Sequence, residues 1–170
     1  MANLEIRVAR RTDLPRLTEI YNYYVVNTAI TFDLKPLTVE ERAVWFDEHA
    51  ETGRYRLVVA EKGGRVIGYA STSQFRTRSA YDTTAETSIY CAPEAVGRGV
   101  GSALYRLLFE LIKGEDINRL AAGITLPNEA SVALHKSFGF VPVGVFTQNG
   151  RKFGRYWDVA WFERPFDAPT

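Results

Sequence analysis

Apolar and charged residues alternate over Leu4-Glu5-Ile6-Arg7-Val8-Ala9, the two-residue period of a strand with one covered face. The period then changes. Leu14, Leu17, Ile20, Tyr21, Tyr24 and Val25 recur at steps of three and four and predict a helix. Thr12 or Asp13 is available as its N-cap, and Pro15 falls in the first turn, where a missing N–H costs nothing. Thr31-Phe32-Asp33-Leu34-Lys35-Pro36 breaks the pattern into a loop. Thr38 with Glu41 three residues on has the spacing of a capping box, opening a second helix to about Ala50. Tyr55–Glu61 and Val66–Phe75 read as a hairpin turning at Lys62-Gly63-Gly64-Arg65. A polar loop, Arg76–Tyr81, precedes a strand over Thr84–Cys91 that ends at Ala92-Pro93-Glu94.

Beyond it Val100, Ala103, Leu104, Leu107, Leu108, Leu111 and Ile112 form one helical stripe. A strand near Leu120–Thr125 follows, then a helix from Asn128 to Phe138 closed by Gly139. Two last strands, Phe140–Thr147 and Arg155–Phe162, flank a turn expected at Asn149-Gly150. The order β-α-α-β-β-β-α-β-α-β-β predicts an α+β fold with a mixed central sheet flanked by helices. With no repeat, linker or low-complexity stretch, residues 1–170 are expected to form one domain with its core over about 4–164. That length buries roughly 70% of the surface of the unfolded chain.

Between the strand and the leucine stripe stands Ala95-Val96-Gly97-Arg98-Gly99-Val100-Gly101-Ser102. Each glycine costs a helix about 1 kcal/mol relative to alanine, so three of them at a helix start suggest close approach of a ligand to the backbone. A P-loop requires Lys-Ser/Thr after its last glycine, and here Ser102-Ala103 follows Gly101. A dinucleotide fingerprint requires G-x-G-x-x-G or alanine last; counting six from Gly97 gives Ser102 and from Gly99 gives Leu104. A helix N-terminus whose amides converge on a pyrophosphate fits, with Arg98 adding charge. A glycine-softened turn without a ligand fits these residues equally.

Composition narrows the partners. Hydrophobic residues are 46% and charged residues 24%, ordinary for a globular chain, and the net charge of +1 provides no field for a nucleic-acid backbone. No apolar run approaches the roughly 20 residues of a membrane span. The N-terminal residues lack the basic and apolar segments of a signal peptide, so a cytoplasmic location is expected. One cysteine and two histidines give no disulfide framework and no expected metal site.

The glycine segment resembles the acyl-CoA pyrophosphate loop of the GNAT acetyltransferase superfamily, Q/R-x-x-G-x-G/A, although Val96 stands where glutamine or arginine is usual. Three further stretches, Tyr81–Tyr90, Leu126–His135 and Gly150–Val159, are similar to the phosphinothricin and methionine sulfoximine/sulfone acetyltransferase branch, and the likeness spans the chain. The resemblance implies acetyl-CoA as cosubstrate and direct transfer of its acetyl group to the amine of a small amino-acid-like acceptor. It implies Glu86 as the base and His135 as the acid toward the departing thiolate, with Tyr90 and Tyr105 as other candidates for the acid. On its residues alone, Glu86 could be a solvent-facing strand residue and His135 a core histidine bonded to a backbone carbonyl.

Cofactor contacts are expected from Ile89, Tyr90, Cys91, Gly97, Arg98, Gly99, Val100, Gly101, Ser102, Asn128, Ser131 and His135. Asn128 is also expected to cap its helix. Cys91 has no basic neighbour in sequence to activate it, so a covalent acyl-cysteine is not expected. Acceptor contacts are expected from Thr31 and Phe32, from Arg76 or Arg78 as a fork for an anionic group, and from Tyr81 and Glu86. Lys152 and Tyr156 are further candidates on the last hairpin, through which relatives pair as homodimers. An aminoglycoside, polyamine or protein N-terminus as acceptor, and a non-catalytic acyl-CoA sensor, are the rival readings.

Overall fold

In a computed structural model that describes residues 3–166, the elements form in the expected order. They are β1 (Leu4–Val8), α1 (Leu14–Asn27), α2 (Val39–Asp47), β2 (Leu57–Lys62), β3 (Arg65–Gln74) and β4 (Thr84–Cys91). The second half adds α3 (Val100–Leu111), β5 (Arg119–Thr125), α4 (Glu129–Ser137), β6 (Val141–Lys152) and β7 (Arg155–Pro165). The strands make one mixed seven-stranded sheet in the order β1-β2-β3-β4-β5-β7-β6. Every pairing is antiparallel except β4 with β5.

Strand alternation sends the sheet's apolar residues to two layers. Leu57, Val59 and Tyr69 pack under Leu17, Ile20 and Tyr24 of α1, with Trp45 and Phe46 of α2 beside them. Val58, Ala60 and Ala70 point the other way and bury Val100, Leu104, Tyr105 and Leu108 of α3. Leu120, Ala122 and Ile124 of β5, with Ala160 and Phe162 of β7, form a third cluster against Val132 and Phe138 at α4.

The capping box at α2 is present in both halves: Thr38 Oγ1 accepts the Glu41 N–H at 3.1 Å, and Glu41 Oε2 accepts the Thr38 N–H at 2.7 Å. Asp13, at the N-cap of α1, turns its carboxylate back instead, accepting from the Arg10 N–H at 2.7 Å and from the Arg7 guanidinium.

The last hairpin differs from expectation. β6 runs on to Lys152 and the chain reverses at Phe153-Gly154, both at positive φ, rather than at Asn149-Gly150. Phe146 pairs with Val159 and Gly150 with Trp157, so three residues, 147–149, bulge opposite Asp158. Gln148 takes φ 53° there and donates its N–H to Asp158 Oδ1 at 2.7 Å. A side-chain acceptor thus satisfies the bulge, and the Asn-Gly pair is absorbed within the strand.

Candidate active site

The parallel pair β4/β5 is joined only at Thr84, Ala85 and Glu86, opposite Arg119, Leu120 and Ala121. Past Glu86 the two strands part, and the gap becomes a cleft of about 550 Å³ between Ser88–Cys91 of β4 and Gly123–Thr125 of β5. The start of α3 and the start of α4 close its sides. Every residue expected on the cofactor side lines this cleft except Arg98, which stands exposed beside it.

The three glycines divide into two kinds. Gly97 (φ 76°) and Gly99 (φ 77°) hold left-handed backbone, where a side chain is strained, and a methyl group on either would meet no protein atom within 4 Å. Gly99 caps α3, whose first satisfied amide, Ala103 N–H, bonds back to Gly99 O at 3.1 Å. The preceding helical amides are left for a ligand, at the positive end of the helix dipole. Gly101 has ordinary helical backbone; a methyl there would sit 3.1 Å from Leu134 Cδ2 and 3.3 Å from Ile89 Cδ1. Its glycine lets α3 pack closely on α4 and β4.

Asn128 caps α4, its Oδ1 accepting the Ser131 N–H at 3.2 Å. Its amide nitrogen remains free to donate into the cleft. The thiol of Cys91 is pushed up to about 11 by burial, so it is not a poised nucleophile.

Glu86, Ser88 and Tyr90 face the α1/α2 side of β4, while Thr87, Ile89 and Cys91 face α3. Tyr90 packs among Tyr21, Tyr24 and Tyr69, and burial raises its hydroxyl well above the usual tyrosine range. Burial also raises the Glu86 carboxyl, against the lowering influence of Arg76. Arg76 lies over the Phe75 ring at 4.1 Å and reaches toward Trp161, and Tyr81 packs edge-on to Phe75. Arg76 and Arg78 are both exposed, and of the two it is Arg76 whose charge acts on Glu86.

The loop after α1 is tied down at three points. Lys152, only 4% exposed, donates from Nζ to Thr31 O at 2.7 Å. The Tyr21 hydroxyl meets Thr31 Oγ1 at 2.7 Å and donates to Asp33 Oδ2 at 2.6 Å. The Phe32 ring lies directly on Gly150, where a Cβ would overlap it. Lys152 is therefore a buried tether of the loop rather than an open contact. Tyr156 pairs with Arg151 on the opposite strand face from Lys152 and is 57% exposed, so it takes no part in holding the loop. Gly150→Ala should displace Phe32 and raise the acceptor KM several-fold with the cofactor affinity unchanged, as steady-state kinetics would read.

Three positions escaped the sequence reading. Tyr21 appeared only as a core position, Gly150 as a turn residue, and Arg42 was not singled out at all. Arg42 is buried, its guanidinium 3.9 Å from the Tyr21 ring centre and 3.7 Å from that of Trp45, donating to the Tyr69 hydroxyl at 3.2 Å. Its spacing to Trp45 on α2 is an ordinary helical one, and its other partners, Tyr21 and Tyr69, come from α1 and β3.

His135, the expected acid, lines the cleft but is held at both ring nitrogens. It is 3% exposed, on the α3 side of the sheet, opposite in face to Glu86. Nδ1 lies 2.8 Å from Ser131 O, which can only accept, so Nδ1 carries the proton and Nε2 accepts from the Tyr105 hydroxyl at 2.8 Å. Burial lowers its affinity for a second proton. The one proton of this neutral imidazole is directed at Ser131 O, and its other nitrogen is occupied by Tyr105.

His49 is also held neutral by burial, its Nδ1 bonded to Trp45 O at 2.9 Å and its Nε2 buried without a partner. Both histidines bind protons less readily folded than unfolded, so stability is full above about pH 6.5 and falls as acid protonates the unfolded chain. Glu86, shifted upward, opposes this. The melting temperature should drop between pH 7.5 and 5.5, and His49→Gln should lessen the drop; a melt independent of pH across that window would contradict the assignment.

The Acetyltransferase (GNAT) domain model matches residues 6–161. A phosphinothricin N-acetyltransferase of Streptomyces coelicolor is 51% identical, covering 96% of this chain and 97% of that one. An L-methionine sulfoximine/L-methionine sulfone acetyltransferase of Pseudomonas aeruginosa is 35% identical over 97% of this chain and 95% of its own. The crystal structure of a phosphinothricin acetyltransferase from Sinorhizobium meliloti in complex with AcCoA superposes with a TM-score of 0.89 at 38% identity, covering 98% of this chain and 93% of that one. Since the match runs from the first strand into the last and the relatives align over nearly their whole lengths, the chain belongs to the GNAT acetyltransferase family.

Proposed function

We propose that this enzyme acetylates the α-amine of a small amino-acid-like acceptor from acetyl-CoA, with phosphinothricin and methionine sulfoximine or sulfone as the leading acceptors. The observation that carries the reading is the position of Glu86: a half-buried, upward-shifted carboxylate on the last rung before β4 and β5 part, within the electrostatic reach of Arg76. Acetyl-CoA supplies an acetyl group on a thiolate leaving group. The cleft fits it: amides at Gly97–Gly101 for the pyrophosphate, Arg98 for charge, and the free amide nitrogen of Asn128 for the pantetheine arm.

Glu86 takes a proton from the acceptor's ammonium, directly or through water, and its raised pKa brings its basicity nearer the working pH. Arg76 offers a planar fork to the acceptor's carboxylate or phosphinate. The Thr31–Asp33 loop, held by Lys152, Tyr21 and Gly150, overhangs that position. With Cys91 not activated, transfer is direct.

The protein works in the cytoplasm, where acetyl-CoA is made, as a homodimer. Val141, Val143, Val145 and Phe146 of the edge strand β6 are each at least half exposed, an apolar strip a second copy would cover. The test is thiol release from acetyl-CoA across methionine sulfone, methionine sulfoximine, phosphinothricin, an aminoglycoside and a polyamine. Release with the first three supports the reading, selective release with a cationic acceptor would reassign the acceptor, and no release with any would favour a sensor.

A further inference from the structure

Past Glu86 no backbone ladder joins β4 to β5, and the cleft opens between them. The connection lies behind the sheet. α3 packs on the β2–β4 arm and α4 on the β5–β7 arm, and the two helices meet along their length, with two of the contacts one turn apart. The outer point is the close contact of Gly101 with Leu134. The inner one is the hydrogen bond from the Tyr105 hydroxyl to His135 Nε2, at 2.8 Å and wholly inside the protein. Around it the Tyr105 ring stacks on Phe109 at 4.8 Å and meets Phe138 edge-on at 5.5 Å, and His135 meets Phe140 at 5.1 Å.

We infer that Tyr105 and His135 are a positioning pair that braces the two arms of the sheet and so sets the spacing between the pyrophosphate amides at α3 and Asn128 at α4. The inference rests on the reading of the cleft as the acetyl-CoA site. A brace needs a directional hydrogen bond of fixed polarity, and the arrangement provides it: Ser131 O forces the proton onto Nδ1, leaving Nε2 as an acceptor that Tyr105 satisfies. An acid would need the reverse, a proton on a nitrogen facing the cleft. Burial keeps the ring neutral, which preserves the acceptor.

Tyr105→Phe removes the hydrogen bond and leaves Nε2 buried without a donor. Acetyl-CoA affinity, measured by calorimetry in the absence of acceptor, should fall about tenfold, the worth of one buried hydrogen bond plus its orphaned partner. The acceptor KM and the shape of the pH–rate profile should stay as in the parent. His135→Leu should weaken cofactor binding similarly, and His135→Gln, which keeps an acceptor oxygen but has no titratable ring, should recover much of that loss. An acid would behave otherwise: unchanged cofactor affinity, a turnover loss of 10²-fold or more, no recovery by glutamine and a lost limb of the pH profile. That pattern would overturn the brace.

Nitrogen-15 spectra of the parent protein give a readout that survives any folding failure of the variants. They should show protonated Nδ1 and an acceptor Nε2 at neutral pH and on through the range where a free imidazole titrates; a His135 ring that titrates like a free imidazole overturns the inference. If the parent protein itself fails to bind acetyl-CoA, the cleft reading fails rather than the brace.

Discussion

Glu86→Gln lowers turnover by about 10²- to 10³-fold while acetyl-CoA binds as tightly as before. The amide is nearly the size of the carboxylate, so the rung Glu86–Ala121 and the packing around it are preserved. What is lost is a base. The acceptor enters as an ammonium at neutral pH, and its nitrogen has no lone pair for attack until the proton leaves. Because burial raises the Glu86 carboxyl, the parent enzyme should gain activity with rising pH through a range above that of an ordinary glutamate. In Glu86→Gln that acid limb should vanish along with the rate. Full turnover in the variant, or an unaltered acid limb, would move the base elsewhere.

Gly99→Val abolishes acetyl-CoA binding without unfolding the protein. Two effects act together. At φ 77° a β-branched residue is strained, which shifts the cap of α3 and the amides it aims. The added carbons also point into a space where no protein atom lies within 4 Å, the space assigned to the pyrophosphate. Gly99→Asn separates the two, since asparagine tolerates left-handed backbone but still projects a side chain. Loss of binding in both variants attributes the effect to obstruction; loss in valine alone attributes it to the backbone. Normal calorimetric binding by Gly99→Val would remove the loop from the site.

Most elements were legible because the information for them is local. The capping box at Thr38 and Glu41, the leucine stripe of α3 and the alternation of β2 and β3 depend on spacing alone, and the structure reproduces them. α2 ends at Asp47, short of the expected Ala50. The failures fall where distant residues decide. Asn149-Gly150 is a strong turn dipeptide, yet Asp158 across the hairpin satisfies a bulge there and the reversal moves on to Phe153-Gly154. Gly150 has its purpose from Phe32, more than a hundred residues earlier in the chain. Of three glycines that looked alike, Gly101 answers to Leu134 and Ile89. The motif residues Glu86 and Asn128 could be found by likeness; the tether Tyr21 and the buried Arg42 could not, since only folding brings Thr31, Asp33 and Tyr69 to them.

The single thiol has a practical consequence. With its pKa pushed up to about 11, Cys91 is a thiolate in only about one molecule per thousand at pH 8. A disulfide reagent added to count free sulfhydryl groups should therefore react slowly with the protein and quickly with liberated coenzyme. The colour that develops would report the reaction alone, and a reagent-treated sample should retain its acetylating capacity.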